Sequence, residues 1–501
     1  MVHALRSRRV ITPHGEQNAV VVIDAEHIAA IKPVSELSAN IPVEDLGDLA
    51  LLPGLIDVHT HINEPGRTEW EGFATATRAA AAGGFTTVVD MPLNCLPETT
   101  TVGALELKRE AASSGGPNGT PQCMIDYAFW GGCVDDNQHH LEPLALAGVA
   151  GFKCFLIYPG CDGFTAIDRA NLERAIPHIA RTGLPLLVHA ELEPAINAAV
   201  AHLNATGADW RKYSTYLASR PDEAELDAIE MLLELCREHR FRLHIVHLST
   251  AKALPLLAAA KREGLPVSVE TCPHFLHFTA ETIPANPNGP TLCKSAPAIR
   301  SAVNREQLWQ ALVDGTIDLI ATDHSPCPPH MKRLHADHVQ SGEAPAAPGH
   351  QPGRFDLAWG GIPSLSTALS VLWTECTRRE LTLSQLAQWT SAAPARLAGL
   401  ATHVGSIEPG KHANLVAFDA DASFTLTPDM LHYRHKISPY LGETLRGLVC
   451  STWLRGQRVF TRGAVGTTRG ASGGGDTFPV AAPGREYALS SSLTHQESLS
   501  R

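Results

Sequence analysis

Leu52-Pro53-Gly54-Leu55-Ile56-Asp57-Val58-His59-Thr60-His61 is an apolar β-run that ends in two histidines separated by one residue. Side chains two residues apart on a strand point to the same side, so both imidazoles can reach one cation. Two histidines held by ordinary hydrogen bonds at a strand end would give the same pattern. The pair alone therefore leaves a metal site and a structural role open.

Outward from this stretch, apolar β-runs alternate with helical segments rich in Ala, Leu and Glu. The predicted strands are residues 55–58, 86–90, 124–129, 150–155, 185–189, 242–247, 267–271 and 318–322. Near-continuous apolar strands between helices are typical of a parallel sheet that is buried on both faces. Eight such strands favour an α/β fold of the closed (β/α)8 TIM-barrel type over an open doubly wound sheet.

Both ends of the chain are β-rich, which predicts a small sheet domain built from the two termini. We expect residues 1–52 to form its N-terminal part, 53–403 the barrel and 404–462 the C-terminal part. Residues 463–501 contain a Gly/Ser-rich run and are predicted to be a flexible tail. The stretch 335–352 lacks periodicity and is predicted to be a loop that could belong to a lid.

Composition excludes several classes of function. The 501 residues include 40 Lys+Arg and 52 Asp+Glu, a formal net charge of −12. A net acidic surface repels phosphate backbones and anionic lipids, so nucleic-acid and membrane partners are not expected. The 11 cysteines include no C-x-x-C motif, and no apolar stretch approaches 18 residues. We therefore expect a soluble, cytoplasmic protein with free thiols and no signal peptide.

Three further candidate ligands lie at the ends of predicted barrel strands. His189, His247 and Asp323 each close an apolar run, at the face where TIM barrels build their active sites. Together with the first two histidines they offer four imidazoles and one carboxylate, which suits a divalent metal such as zinc. His324 follows Asp323 directly and must point the other way, so we interpret it as a supporting residue.

Lys153 lies in the apolar strand 150–155, where burying an unpaired ammonium is costly. A salt bridge to Asp323 in a metal-free site is one interpretation. Carboxylation of the amine by CO2, which would make an anion able to bridge two metals, is the other. The residues alone leave both open.

Taken together, these motifs resemble the amidohydrolase superfamily, in its cyclic-amide branch of dihydroorotases, hydantoinases and allantoinases. The resemblance rests on residues 53–61, 151–153 and 322–324, on His189 and His247, and on the closing stretch 405–416. It implies an eight-stranded barrel with two divalent metals, zinc being expected, beside a small β-sandwich made from both termini. It further implies that His59, His61 and Asp323 bind one metal, that His189 and His247 bind the other, and that carboxylated Lys153 bridges them.

Within this branch, the stretches 63–72, 90–94, 323–327, 358–362 and 435–441 resemble allantoinases most closely. Asn63 stands where dihydroorotases carry an arginine for the substrate carboxylate. A neutral amide can hydrogen-bond a ureido group but cannot neutralise a carboxylate, which favours an uncharged ring. Arg67 lies close enough to supply charge by another route. The resemblance implies allantoin as a small-molecule substrate, allantoate as product, and a homotetramer.

The resemblance also implies roles for individual side chains. Asp323 would take a proton from water and return it to the leaving ring nitrogen. Asn94 and Ser295 are candidate substrate contacts, and turn capping is the alternative interpretation of each. Tyr158 lies where hydantoinases place a substrate-contacting tyrosine, so a hydantoinase or dihydropyrimidinase is the main alternative. A half-buried loop aromatic is an equal interpretation of Tyr158.

A non-catalytic scaffold is the alternative from another class of protein. Scaffold relatives of these enzymes typically lose metal ligands, whereas every ligand position is filled in this sequence. Because function is argued from the site and not from the fold, the sequence favours an enzyme.

Overall fold

The chain consists of a parallel barrel and a terminal β-sheet. The computed structural model describes residues 2–116, 119–335, 351–463, 475–487 and 489. The strands are β1 (His3–Thr12), β2 (Gly15–Asp24), β3 (His27–Lys32), β4 (Val43–Asp45), β5 (Ala50–Pro53), β6 (Leu55–Thr60), β7 (Phe85–Asp90), β8 (Asp126–Phe129), β9 (Gly131–Gly132), β10 (Phe152–Phe155), β11 (Leu186–His189), β12 (Leu243–Ile245), β13 (Val267–Thr271), β14 (Leu319–Ile320), β15 (Leu415–Thr425), β16 (Thr444–Leu454) and β17 (Gln457–Thr461).

The α-helices lie mostly between the barrel strands. They are α1 (Phe73–Ala82), α2 (Val102–Ser114), α3 (Gln138–Leu146), α4 (Arg169–Thr182), α5 (Glu193–Ala205), α6 (Tyr213–Ala218), α7 (Asp222–His239), α8 (Leu254–Arg262), α9 (Pro273–His277), α10 (Ala302–Asp314), α11 (Ala368–Arg378), α12 (Leu383–Ala387) and α13 (Ala393–Leu397).

The predicted (β/α)8 barrel is confirmed. The strands from β6 to β14 pair in parallel with their sequential neighbours. Here β8 and β9 are two halves of one barrel strand, separated by Trp130, whose N–H donates to the Asp90 carbonyl at 3.0 Å. The ring closes where Thr60 and His324 form a parallel bridge and the His61 N–H donates to the His324 carbonyl at 2.8 Å.

Apolar side chains are buried on both faces of the barrel strands. On β6, Leu55 belongs to the largest hydrophobic cluster, whereas Ile56 and Val58 belong to a second one. Successive residues of a strand point to opposite faces, so β6 contacts separate apolar layers on its two sides. This explains why the strands appear in the sequence as near-continuous apolar runs.

The two termini share one eight-stranded sheet, as predicted. Its order is β17-β16-β15-β5-β1-β2-β3, and β4 pairs with β1. Strand β5 joins the two ends of the chain because it pairs in parallel with β1 and antiparallel with β15. Leu5, Val21, Leu415 and Trp453 belong to the apolar core of this domain.

Gly54 links the terminal sheet to the barrel, between the end of β5 and the start of β6. A Cβ at this position would lie 2.3 Å from Oγ1 of Thr86, so only glycine fits. The Gly54 N–H donates to the Asn414 carbonyl at 2.8 Å. The stretch that carries the first two histidines is thus fixed to both domains.

Part of the predicted tail packs against the barrel. The Tyr487 N–H donates to the Tyr127 carbonyl at 2.8 Å, and Glu486 accepts from Nε of Arg109 at 2.8 Å. Thr477 forms a β-bridge with Thr461. The Gly/Ser-rich run predicted a flexible segment, but residues beyond it bond to both the barrel and the terminal sheet. The rest of the tail, and 336–350 of the predicted loop, lie outside the described residues.

The cysteines and the helices bear on the predictions of free thiols and of a protein without membrane partners. All eleven cysteines are free thiols, and ten of them are buried. In the ranges that the structure describes, no helix is both long enough and apolar enough to cross a membrane.

Arg455 connects the terminal sheet, the barrel and the C-terminal segment. Its guanidinium pairs with buried Asp126 of β8 and donates to the Pro483 carbonyl at 2.5 Å. Removing one partner of a buried ion pair destabilises a protein by about 3–5 kcal/mol, because the other charge stays buried. We expect Arg455→Met to lower the melting temperature and the urea midpoint by a correspondingly large amount.

Arg458, three residues further along, supplies the matched control. It pairs with Glu44, and both side chains are exposed. Exposed pairs contribute roughly 0–1 kcal/mol, so Arg458→Met should change the melting temperature little. Equal losses of stability in the two variants would contradict this account of the domain junction.

Candidate active site

His59, His61 and Asp323 meet at the carboxyl end of the barrel, where β14 closes on β6. The Nε2 atoms of the two histidines lie 3.4 and 3.6 Å from Oδ1 of Asp323. One ligand atom from each residue lies within 4.8 Å of the others, and all three residues are buried. Residues more than 260 positions apart thus form a group that could hold a metal ion.

His189 and His247 form a second group beside the first. Nδ1 of His189 lies 2.9 Å from Nε2 of His247. The rings of His59 and His247 have their centroids 5.3 Å apart, so the two groups adjoin. The structure therefore brings together the four imidazoles and the carboxylate that the sequence singled out.

Lys153 of β10 is completely buried, and its Nζ has no hydrogen-bond partner among the described residues. It lies 4.8 Å from the centroid of the Phe155 ring, and no ion pair joins it to Asp323 in the described part of the chain. Burial lowers the pKa of Lys153 to about 8. A buried amine without a hydrogen-bond partner, next to four imidazoles and a carboxylate, fits a site that metal ions or a modification of the amine would complete.

The charge states also fit a metal centre. Burial lowers the pKa values of His59, His189 and His247, which favours the neutral imidazole that binds metals. Imidazole nitrogens and a carboxylate oxygen are the ligands that zinc and similar divalent ions take. These donor atoms therefore match the divalent metal ions that the resemblance implied.

Glu270 of β13 bonds to two of the candidate ligands, His59 and His247, on the side away from the cavity. Its Oε1 bonds to Nδ1 of His59 and accepts from the His247 N–H at 3.1 Å, and its Oε2 lies 3.0 Å from Nε2 of His244. Burial opposes ionisation of Glu270, but the imidazoles of His59 and His244 outweigh it and lower its pKa to about 2. A carboxylate that holds the far nitrogen of a ligand histidine fixes its ring and tautomer.

Glu191 holds the ring of His189 in the same way, because Nε2 of His189 lies 2.8 Å from Oε2 of Glu191. That oxygen also lies 3.4 Å from the Arg220 guanidinium. Our sequence reasoning missed both carboxylates, although each lies at the end of a predicted strand, where the ligands were found. Glu191 is two residues beyond His189, a spacing that the alternation of side chains on a strand could have flagged.

Four of the ten non-glycine residues with left-handed backbone in the described ranges lie at the site. Asn63, Asn94, His247 and Asp323 have φ angles of +67°, +66°, +36° and +46°. Such conformations are strained for residues other than glycine and persist where the surrounding structure enforces them. At these positions the chain turns sharply as it leaves a barrel strand.

The predicted substrate contacts fall into two groups. Asn94 and Tyr158 line the cavity above the ligands; Asn94 Nδ2 lies 3.3 Å from Nδ1 of His61, and the Tyr158 hydroxyl donates to Asp162 at 2.5 Å. Ser295 and Asn63 are buried and are not among the residues that line the cavity. The Ser295 hydroxyl donates to the Pro297 carbonyl at 2.9 Å, and the Asn63 amide donates to the Pro326 carbonyl at 3.3 Å.

Two further residues considered in the sequence, His324 and Arg67, do not line the cavity either. Nδ1 of His324 accepts from the Ser364 N–H at 3.1 Å, so this buried ring turns from the cavity. The Arg67 guanidinium lies 5.0 Å from the centroid of the Trp70 ring. Neither side chain belongs to the cavity lining.

The cavity has a volume of about 320 Å³, with the five ligand side chains at its base. Leu93, Phe155 and Ile157 supply apolar surface. Arg220 and Lys294 supply two cations that our sequence reasoning did not identify. Lys294 directly precedes the predicted contact Ser295, but no motif marked it as a cavity residue.

Comparison with known proteins identifies the family. The Amidohydrolase family profile matches residues 50–459. The chain belongs to the amidohydrolase family. Among relatives of this amidohydrolase, the allantoinase of Streptomyces avermitilis is 46% identical over 460 residues, covering 92% of this chain and 95% of the relative. The allantoinase of Arabidopsis thaliana is 40% identical over 478 residues, covering 92% and 88%.

Solved structures agree with this assignment. The L-hydantoinase (dihydropyrimidinase) from Arthrobacter aurescens aligns with a TM-score of 0.81 at 28% identity, covering 92% of this chain and 96% of that one. The dihydropyrimidinase from Brevibacillus agri NCHU1002 aligns with a TM-score of 0.81 at 27% identity, covering 98% and 99%. These similarities confirm that the amidohydrolase is an enzyme of the predicted cyclic-amide branch.

Removing the carboxylate behind His59 should weaken metal binding. Glu270→Gln keeps the size of the side chain but cannot hold the histidine as an anion does. Loss of such a supporting partner typically reduces metal affinity about 10- to 100-fold. Competition with a chelator, followed by elemental analysis, measures this affinity independently of turnover.

Glu375→Gln is the matched control, because Glu375 is also a buried carboxylate that bonds to an imidazole, that of His277 at 3.0 Å. His277 is not a candidate ligand, so we expect metal affinity close to that of the wild type. An unchanged affinity in Glu270→Gln would show that Glu270 does not support the metal centre.

Proposed function

We propose that this amidohydrolase is an allantoinase, which hydrolyses a ring amide of allantoin to give allantoate in allantoin degradation. The observation that carries the proposal is the 46% identity to an allantoinase over nearly the whole chain, with every expected ligand position filled. The hydantoinase or dihydropyrimidinase alternative is supported less well, because those solved structures share only 28% and 27% of the sequence.

We propose two divalent metal ions, zinc by preference, as cofactors. His59, His61 and Asp323 would hold one ion, and His189 and His247 the other. Carboxylated Lys153 would hold both. When bound, the ions would polarise the ring carbonyl and lower the pKa of water toward 7.

Carboxylation would resolve the unusual environment of Lys153. The carbon of CO2 bonds to the neutral Nζ, and a proton is released, so the amine becomes a carbamate anion. The Nζ has no hydrogen-bond partner in the described residues that would compete with this reaction. The product would place negative charge among neutral imidazoles and replace a buried amine with ligand oxygens.

Asp323 would handle the proton during hydrolysis. The oxygen of water becomes bonded to the ring carbonyl carbon, the ring C–N bond breaks, and the leaving nitrogen needs a proton. Asp323 would take that proton from the water and deliver it to the nitrogen, as general base and then general acid. The Ser325 hydroxyl donates to Oδ1 of Asp323 at 3.1 Å and so fixes the carboxylate.

The substrate would lie in the cavity against Asn94 and Tyr158. Ser295 and Asn63, the other two predicted contacts, do not line the cavity and would support the residues that do. For the whole protein we propose a cytoplasmic homotetramer without nucleic-acid or membrane partners. The free thiols support the compartment, and the net charge of −12 supports the absence of nucleic-acid and membrane partners. The resemblance to the cyclic-amide branch supports the assembly, which size-exclusion chromatography with light scattering would measure.

Lys153→Ala tests the bridging role. We expect the wild type to hold about two metal ions per chain and this variant to lose metal and activity, with partial recovery in short-chain carboxylic acids. Lys153→Arg should fail as well, because a guanidinium does not form the carbamate. Elemental analysis and the intact mass, higher by one CO2 in the wild type, are the measurements.

Lys108→Ala controls for the loss of any buried lysine, because Lys108 is completely buried but pairs with Asp90 at 2.6 Å. This variant should lose stability while its folded fraction keeps the wild-type metal content. An unmodified Lys153 amine in active, metal-filled enzyme would refute the carbamate.

A substrate panel tests the proposed activity. Allantoin, hydantoin, dihydrouracil and dihydroorotate should be compared with the same enzyme preparation. The neutral Asn63 replaces the arginine of dihydroorotases, and a missing charge-assisted contact reduces binding about 10- to 150-fold. We expect kcat/KM for allantoin to exceed that for dihydroorotate by at least this factor. Efficient dihydroorotate hydrolysis without turnover of either allantoin enantiomer would overturn the proposal.

A further inference from the structure

Lys294 presents an ammonium group to the cavity without a carboxylate partner. It follows a short turn, Pro290–Cys293, and lines the cavity beside Tyr216 and Arg220. Its Nζ donates to the Ala358 carbonyl at 2.5 Å and lies 5.2 Å from the centroid of the Tyr216 ring. No ion pair of Lys294 occurs within the described ranges. An ammonium has three N–H donors, so this group retains donors for a ligand.

The surroundings of Lys294 make this arrangement costly in free energy. Burial lowers the pKa of Lys294 to about 7, and the positive charges of Arg220 and Lys332 act in the same direction. A buried cation without a counter-ion costs free energy unless a polar group meets it. Arg220 differs, because Glu191 accompanies it. A ligand with a strong acceptor would therefore relieve Lys294 in particular.

Several other polar side chains of the cavity already have partners. The Tyr216 hydroxyl donates to the Ser295 carbonyl at 2.7 Å, and the Tyr158 hydroxyl donates to Asp162. The Ser325 hydroxyl donates to Asp323. Leu93 and Phe155 offer no side-chain donor at all. Unlike Arg220, which Glu191 accompanies at 3.4 Å, Lys294 has remaining donors that a substrate can use without competing with a carboxylate.

We propose that Lys294 binds the ureido carbonyl oxygen of allantoin and thereby selects allantoin over hydantoins that lack this arm. The inference rests on the proposed allantoin hydrolysis and adds a residue that determines its specificity. With the ring amide at the ligands on the cavity base, the ureido arm extends toward the cavity wall. Its carbonyl oxygen is a strong acceptor, and a charge-assisted hydrogen bond there stabilises binding.

Lys294 is proposed to bind the ureido arm and not the carboxylate that ring opening forms. Hydantoin and allantoin both yield a new carboxylate when the ring opens, so a lysine that serves the product would matter equally for both. Only allantoin carries the ureido arm. Comparing the two compounds therefore separates recognition of the arm from any role in ring opening.

Lys294→Met tests the proposal, because methionine keeps most of the side-chain volume and removes the donors. We expect kcat/KM for allantoin to fall about 10- to 150-fold, the range for loss of one charge-assisted contact. For hydantoin, kcat/KM, or its inhibition constant against allantoin if turnover is too slow, should change less than about twofold. Lys294→Arg, which keeps donors and charge, should recover part of the loss.

Lys332→Met controls for a merely structural role. Lys332 is buried and donates to the Trp359 carbonyl at 3.1 Å and to the Gly361 carbonyl. It therefore braces the same segment as Lys294, whose partner is Ala358, but it does not line the cavity. Disturbing that segment should change the constants for allantoin and hydantoin in the same proportion.

Two results would overturn the inference: an unchanged kcat/KM for allantoin in Lys294→Met, or an equal loss for both compounds. The proposed function fails in a different way, since wild-type enzyme would then hydrolyse hydantoin and leave allantoin untouched. The wild-type measurement and the variant ratio thus report on the two proposals separately.

Discussion

The contact between the first and the last barrel strand is the constraint on which the rest of this structure depends. Buried Asp57 accepts from the Thr322 N–H at 2.9 Å and from its hydroxyl at 2.5 Å. This contact joins residues 265 positions apart and closes the ring of parallel strands. Because the next residues on these strands are His59, His61 and Asp323, closing the barrel also assembles the candidate metal group. Fold and site are thus produced by the same contact.

The site also depends on buried carboxylates that bond to the candidate ligand histidines. The imidazoles line the cavity, and carboxylates hold the far nitrogens of two of them, Glu270 on His59 and Glu191 on His189. In a low-dielectric interior these contacts are strong when complete and costly when broken. Lys153 and Lys294 depart from this pattern, since neither has a carboxylate partner among the described residues. Both departures occur where the proposed chemistry brings another group, CO2 to the first and substrate to the second.

The overall fold does not distinguish the substrates of the cyclic-amide branch. The solved hydantoinase and dihydropyrimidinase align with TM-scores of 0.81, although they share less than a third of the sequence. One barrel supports many chemistries because the loops at its carboxyl face vary while the strands remain. Discrimination must therefore come from a few cavity side chains, of which Tyr158 and Lys294 are the most direct to test.

The sequence by itself determined the barrel, the shared terminal sheet and the candidate metal group. Each depends on a local pattern: apolar runs of strand length, and histidines or Asp323 at their ends, where parallel strands place them on one face. Other features depend on the tertiary structure, because their meaning comes from partners far along the chain. In the sequence Glu270 is an ordinary strand residue, and only the fold places it against His59. Asn63 is a candidate substrate contact in the sequence, whereas in the fold its amide donates to the Pro326 carbonyl. Lys294 becomes a cavity cation only through its position beside Tyr216 and Ala358, and no spacing in the sequence encodes that distance.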